Sequence, residues 1–573
     1  MVAQILSGIL SPDATIRTQA AEKIIQLSQN LGAVTFCLLQ VSSLPALNNE
    51  EQQVKELALV ILRRIIAKES LESWKAINVE LKEQIKNKAL LNLEKETSQK
   101  MKNKLIDVFT EIIEKSLDCD EEWPQLKQLC LNLINQNLTQ STDFATIESI
   151  LRLFKNSTQF VFDELLQNLS QVCNFFKQVF ESNKMSLKVV AAECIHELIS
   201  LFGEDEGMAL ISPFLFNILQ SVLQCLSLKD EEENLKRLLE ILIETGSIEP
   251  DLFDKHFKDM FILCIKIAEN KDFKDEKIRE LGFEVLINLI EEKPKLIKNN
   301  KENLKILLEN LFKYALEFDR NDDEDWMNPN GTNYEELENV DEDFISFAKG
   351  MIERLVECIG VDKMSPYLKE VINNLIYQSE WGCKYVSLFL LSSLAEYEEN
   401  MSALEMSFNL IFSMTKAEHY KVRFASVNCI NKFTVTFNPE FYKKYLDTVL
   451  PLLVQLYKQE SVLRVQCEIM ETIDSLIGYA SADMLEKYMQ DLFEFFFGEF
   501  TKDLPIILKK CLIEAILELI CTMEDSCKPL AEKAFEITYC YFKGLPGRGH
   551  LQQQRQESPP GHVRHRRSRH PRS

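Results

Sequence analysis

An all-α array of antiparallel helical hairpins, wound as a right-handed superhelix, is the fold class that this 573-residue sequence predicts. Three observations predict it. An apolar residue followed by a base opens an apolar helix again and again at near-constant spacing. Within those helices apolar residues recur at i, i+3, i+4 and i+7, the period of one helix face. Strand patterning is almost absent, and the Gly and Pro residues, 16 of each, fall mainly between the hairpins.

Taken in order, Ile16-Arg17 leads into AAEKIIQL, Val54-Lys55 into LALVILRRII and Met101-Lys102 into LIDVFTEII. Leu187-Lys188 opens AAECIHELI, Leu235-Lys236 opens LLEILI and Ile278-Arg279 opens LGFEVLINLI. Val422-Arg423 precedes ASVNCI, and Leu463-Arg464 precedes the helix holding Ile469 and Ile473. The first bases are separated by about 38, 47, 86 (two units), 48 and 43 residues, and the last two by about 41, which is the period of HEAT or armadillo repeats. Tetratricopeptide and ankyrin units are shorter. One such hairpin exposes too much apolar surface to stand alone, so it must stack on its neighbours. The result is a HEAT-repeat α-solenoid of about a dozen hairpins.

Composition narrows the function. A net charge of −24 argues against nucleic acid as a direct partner and for basic ligands. The charge is uneven: residues 544–573 hold seven Arg and one acid, leaving 58 bases against 88 acids in residues 1–543. The fifteen cysteines show no Cys-x-x-Cys pair and read as small buried hydrophobes of a reducing compartment. No secretory leader is apparent, and no apolar run is expected to approach 18 residues, so no membrane partner is expected. Phosphate-binding and dinucleotide glycine loops are missing. His196-Glu197 begins like a zinc-protease helix, but position 200 is Ser, so His196 reads as a core or groove histidine. No catalytic residue, metal or cofactor is nominated, and an enzyme is not expected.

Three stretches go beyond a generic array. The opening SPDATIRTQAAEKIIQL is followed by VKELALVILRRIIAKESLESW, ending at Trp74. Glu121-Glu122-Trp123-Pro124 opens a repeat. An acidic insertion, Asp322-Asp323-Glu324-Asp325-Trp326, continues through Glu335 to Asp343. Together these resemble the importin-β (karyopherin-β) family of nuclear import receptors, and within it the importin-5 branch. The acidic insertion is followed here by Glu353-Arg354, Gly360, Lys363, Pro366 and Glu380-Trp381, an order similar to that branch. The resemblance covers about residues 1–543.

The resemblance implies a receptor that shuttles between cytoplasm and nucleus through the pore. It implies basic cargo, such as ribosomal proteins or histones, bound by lysine-rich signals on a concave face. It also implies Phe-Gly nucleoporins in grooves between outer helices, and release by the GTP form of Ran. Carried over by register, Glu353 and Glu396 would receive cargo lysines and Asn428 would hold a peptide backbone. Lys432 and Thr436 depart from the branch, where a Gln and an Asp stand. Arg63 and Arg64 are the weaker candidates for Ran contact. The acidic residues have a physical rationale, since a dense carboxylate cluster speeds encounter with basic surfaces. The alternative reading is a static HEAT scaffold such as a phosphatase regulatory subunit, which needs no such insertion.

Three segments are expected: importin-like N-terminal hairpins over 1–80, a solenoid over 81–543 with the insertion at 320–343, and a tail over 544–573. The tail, with seven Arg, no Lys and four of the seven histidines, reads as translation in a wrong frame or through an intron. A disordered basic segment is its rival reading.

Overall fold

The computed structural model describes residues 1–523, apart from 47, 136–143, 203–206, 229, 299, 319–323, 328–342, 399–400 and 402–403, and also residue 539. Every regular element among them is helical. The chain forms two compact units, Met1–Leu311 with Arg354–Gly360, and Phe312–Glu353 with the chain from Val361 onward. The tail at 544–573 lies outside the described residues.

Local sequence sets the helix ends. Asp13 caps Ala14–Ser28, accepting from the Thr15 N–H at 2.7 Å and the Ile16 N–H at 3.3 Å. Pro124 sits at the first position of Pro124–Ile134, where a missing N–H costs nothing. Gly360, at φ +97°, follows Asp343–Ile359 and returns its N–H to the Val356 carbonyl at 2.8 Å. That left-handed conformation strains any residue with a Cβ, which is why the helix stops at a glycine.

In the first unit the second helices of successive hairpins pack on one another: Asn49–Lys68, Gln99–Leu117, Phe144–Ser157, Met185–Phe202, Glu232–Ile248 and Lys277–Glu292. In the second unit Trp381–Tyr397, Tyr420–Thr436, Leu463–Tyr479 and Ile506–Met523 do the same. The interior members of each run are packed on both sides as well as against their own hairpin partners. This explains why Met185–Phe202 and Tyr420–Thr436 bury residues around most of their circumference. The first helices cover the stack from one side and touch one another less.

The repeated bases link one hairpin to the next. Lys55 pairs with Glu96 at 3.5 Å. Lys188 donates to Gln224 at 2.7 Å, Lys236 to Asp275 at 3.2 Å and Arg423 to Glu460 at 2.7 Å, partners 36 to 39 residues further along. Arg423 also donates to the Ala417 and Glu418 carbonyls of the turn before its own helix. A long stem buried among the helices with its charge satisfied at the next junction is what these positions require.

One expectation needs correction. Met208–Leu226 is a 19-residue apolar stretch with mean hydropathy 1.6, long enough by composition to span a membrane. It is broken into two helices, Met208–Ile211 and Phe214–Leu226, either side of Pro213. Phe214, Leu215, Ile218 and Val222 are buried in the hairpin, while Asn217, Gln220 and Gln224 interrupt the apolar pattern. Such amphipathic packing belongs to a core-facing helix.

Candidate functional site

Two of the distinctive N-terminal motifs meet in one buried cluster of the first unit. Trp74 and Trp123 are 0% and 1% exposed, and Trp123 stacks on Phe109 with ring centroids 5.5 Å apart. Lys82 stands over Trp74 at 5.8 Å and Lys86 over Trp123 at 5.6 Å. Both amines donate to Glu121, at 2.6 and 2.8 Å. Burial alone would raise the Glu121 pKa, but these two charge-assisted bonds outweigh it and hold the carboxyl below its ordinary value. The Glu-Glu-Trp-Pro motif is therefore a structural clamp between consecutive repeats.

Arg63 and Arg64 lie exposed on Asn49–Lys68. Arg63 pairs with Asp107 at 3.5 Å and Glu111 at 3.2 Å on the following second helix. With Lys104 they line a groove of about 490 Å³ between the two helices.

The second unit places the cargo candidates along its stacked second helices. Glu396 is exposed at the end of Trp381–Tyr397 and pairs with Lys432 of the next second helix at 2.9 Å. Asn428 donates from Nδ2 to Glu468 Oε1 on Leu463–Tyr479 at 3.1 Å. Glu353, on Asp343–Ile359, pairs within its own helix with Lys349 at 3.5 Å. Neighbouring Arg354, itself part of the first unit, binds Glu284 and Glu291 of that same unit at 2.7 and 2.6 Å, which raises its pKa, Glu291 contributing most. Lys432, one of the two departures from the importin-5 pattern, thus occupies Glu396.

Sequence reading missed two features here. Asp474, on Leu463–Tyr479, has its pKa raised to about 7 by burial, reinforced by Glu471, Glu518 and Glu514. Its Oδ1 is buried with no hydrogen-bond partner among the described residues. The second feature is the dock for Trp326. Asp322 and Asp323 lie outside the described residues, as do the side chains of Glu324 and Asp325. Trp326, however, is 8% exposed, on a short helix Glu324–Met327 that packs against Leu463–Tyr479. The signal that could have found its dock is Tyr420-Lys421-Val422-Arg423-Phe424, where two aromatic residues flank two bases at a helix start.

Elsewhere the side chains read as structure. His196 lies near Thr245 Oγ1 at 3.0 Å and Glu244 at 3.6 Å, the groove histidine expected. Burial raises the thiols of Cys130, Cys225 and Cys264 to about 12, so they are inert packing groups at neutral pH. No cluster of metal-ligating side chains occurs among the described residues.

Known proteins agree with this picture. A family model described as importin-5-like TPR repeats matches residues 97–263. Importin subunit beta-3 of Saccharomyces cerevisiae is 21% identical over 506 residues, covering 85% of this chain and 44% of the relative. The crystal structure of Kap121p bound to RanGTP matches with a TM-score of 0.75 at 19% identity, over 94% of this chain and 50% of that one. Kap121p bound to Nup53p matches with a TM-score of 0.77 at 18% identity, over 94% and 51%. The chain is similar to importin-5-like proteins over residues 97–263 and to importin subunit beta-3 over most of its own length. It spans about half the length of the relatives it matches. Although the matching description names TPR repeats, the second helices between Gln99 and Lys277 start about 41 to 47 residues apart, longer than the TPR unit and of HEAT length. At these identities the likeness to the Kap121p structures is one of fold.

Proposed function

We propose that this chain is a nuclear import receptor. It takes lysine-rich segments of basic cargo along the second helices of its second unit, passes Phe-Gly nucleoporins, and yields cargo to RanGTP. The observation that carries this reading is the run of carboxylate and amide side chains, Glu396, Asn428, Glu468 and Asp474, on three consecutive second helices. A carboxylate in a partly dry groove binds an ammonium by a charge-assisted hydrogen bond, stronger than a neutral one. Asn428 can offer its amide oxygen to a peptide N–H while Glu468 holds the amide group. Glu353, paired with Lys349 four residues before it, supplies a further carboxylate.

The relatives support the partners. Kap121p is bound to RanGTP in one structure and to Nup53p in another, and we give RanGTP and Phe-Gly segments one surface each on this chain. For Phe-Gly segments the fit is an apolar groove of about 330 Å³ between Phe214–Leu226 and Phe257–Glu269, where Phe216, Leu223 and Ile262 are about half exposed. For RanGTP it is the Arg63, Arg64 and Lys104 groove. Such a receptor works on both sides of the nuclear pore and has no catalytic role.

Glu353→Lys combined with Glu396→Lys tests the cargo reading. Binding of a fluorescent lysine-rich peptide is expected to fall at least tenfold at low salt, with RanGTP binding and helical circular dichroism retained. Unchanged peptide affinity in the folded variant would remove both residues from the mechanism.

A further inference from the structure

Two contacts in the second unit lie one helical turn apart on the same pair of helices. The Trp326 ring meets Tyr420 at 5.2 Å and Phe424 at 5.4 Å between centroids, both on Tyr420–Thr436. From Leu463–Tyr479 the Arg464 guanidinium lies 4.8 Å from the same ring, and its Nε donates to the Trp326 carbonyl at 2.8 Å. Asn428 stands four residues after Phe424, and Glu468 four after Arg464. Residues four apart share one helix face, about 6 Å along the axis. The hydrogen bond from Asn428 to Glu468, at 3.1 Å, therefore bridges the same two helices one turn beyond the ring.

That bond depends on how far apart the helices stand. Glu468 is 1% exposed, so water cannot replace a lost donor. An added separation of roughly 0.5 Å would stretch the bond to a length at which it no longer counts as one. Lys421 and Arg464 are also buried, 4% and 7% exposed, and Lys421 Nζ stands 5.5 Å from the ring centre. The ring face takes the place of water beside both cations. The wedge comes from outside the local repeat: Arg464 reaches back 138 residues, whereas Lys188, Lys236 and Arg423 find partners 36 to 39 residues away.

We propose that Trp326 is a positioning residue for the peptide groove. Its ring sets the separation of Tyr420–Thr436 and Leu463–Tyr479, and through it the Asn428 and Glu468 pair that meets a lysine-rich segment. That last step rests on the cargo reading above. A flat ring face is what the position requires. Trp326 Nε1 is buried and finds no acceptor among the described residues, so a phenyl ring would forfeit no bond to them. Phenylalanine keeps a face for the two cations, whereas leucine keeps apolar volume without one. Because each repeat touches only its neighbours, a wedge at one junction acts mainly on that junction.

The test uses the full chain, with a fluorescent lysine-rich peptide read by anisotropy and hydrogen exchange read by mass spectrometry over 420–436 and 463–479. Trp326→Leu is expected to weaken peptide binding at least fivefold and to speed exchange severalfold in both helices. Trp326→Phe is expected to stay within twofold on both counts. Asn428→Ala closes a double-mutant cycle. If Trp326 acts through the Asn428 and Glu468 pair, adding Trp326→Leu to Asn428→Ala costs less than a further twofold, since effects that share one interaction do not add. Losses that multiply in the double variant would overturn the positioning role and leave Trp326 a general support. A Leu variant that binds or exchanges like the unmodified chain would overturn it too, as would a Phe variant that fails as Leu does. Should circular dichroism show Trp326→Leu unfolded, the same cycle run with Arg464→Met, which severs the carbonyl bond, carries the test. A peptide that does not bind the unmodified chain, or binds Asn428→Ala at full strength, would overturn the cargo reading. Exchange in the Leu and Phe variants then decides the positioning of the two helices alone.

Discussion

At the scale of single residues, the departures from the importin-5 pattern carry the most information. Lys432 holds Glu396 at 2.9 Å, with both side chains substantially exposed to water. An exposed pair of this kind contributes about 0–1 kcal/mol to stability, so it can be opened at little cost. Its effect on a ligand is larger, because an incoming lysine must displace a resident one. Lys432→Gln is therefore expected to leave thermal stability nearly unchanged and to tighten lysine-rich peptide binding by roughly three- to tenfold, since a factor of ten is about 1.4 kcal/mol. Weaker binding in a titration at low salt would show that Lys432 helps the ligand and does not compete with it. Asp474 makes the opposite kind of statement. Its folded pKa of about 7, raised by burial and then by Glu471, Glu518 and Glu514, lies above the ordinary aspartate value of about 3.9. The folded state then holds a proton that the unfolded chain has released. Its contribution to stability is full below about pH 4 and is lost as pH rises through about 7. Asp474→Asn is expected to flatten that slope and to stabilise the protein at pH 8 by about 1–2 kcal/mol, discounted from the full shift for partial exposure. Denaturant titrations at pH 5 and pH 8 check it, and an unchanged difference between the two pH values would exclude Asp474 as the source.

At the scale of elements, the sequence was most legible where one constraint repeats. The apolar-base pair recurs because each second helix must bury its stem and satisfy its charge at the next junction, as Lys188, Lys236 and Arg423 do. The all-α class, the hairpin length and the order of the helices follow from it. The Trp-Pro motif was legible as a marker of resemblance, yet its role was not. Nothing in the spacing says that Glu121 reaches back 35 and 39 residues to Lys86 and Lys82. The candidate site was legible in part. Register alone put Glu396 and Asn428 on packed neighbouring helices, but not the resident partners Lys432 and Glu468, which depend on how two helix faces meet. The Trp326 dock was hidden for the same reason, since a contact across 138 residues leaves no periodic trace. The apolar stretch Met208–Leu226 was missed as a run because Asn217, Gln220 and Gln224 interrupt it, although its summed hydropathy is high and only some of its faces enter the core.

At the scale of the whole molecule, the proposed sites for RanGTP and for cargo fall in different units, Arg63 and Arg64 in the first and Glu396 and Asn428 in the second. A scaffold would hold two ligands independently. A receptor that exchanges one for the other must couple them, and coupling between two equilibrium binding events is reciprocal. If RanGTP lowers the affinity for a lysine-rich peptide by some factor, the peptide must lower the affinity for RanGTP by the same factor. Typical couplings of about 1–3 kcal/mol correspond to roughly 5- to 150-fold. Charge gives a second handle, because a chain of net charge −24 repels acidic proteins and attracts basic ones. Attraction of that kind is screened within about 8–10 Å at physiological salt. Non-specific peptide capture should therefore fade as salt rises, while coupling that works through the fold should persist. The expectation is that RanGTP weakens peptide binding at least fivefold at both 50 and 200 mM salt, and that RanGDP does not. Arg63→Glu with Arg64→Glu should reduce RanGTP binding at least tenfold and leave the peptide affinity measured alone within twofold, because changes at sites with no shared partner add independently. Calorimetric titration of each ligand in the presence of the other measures both factors. Coupling of unity with both ligands bound would make the chain a scaffold after all.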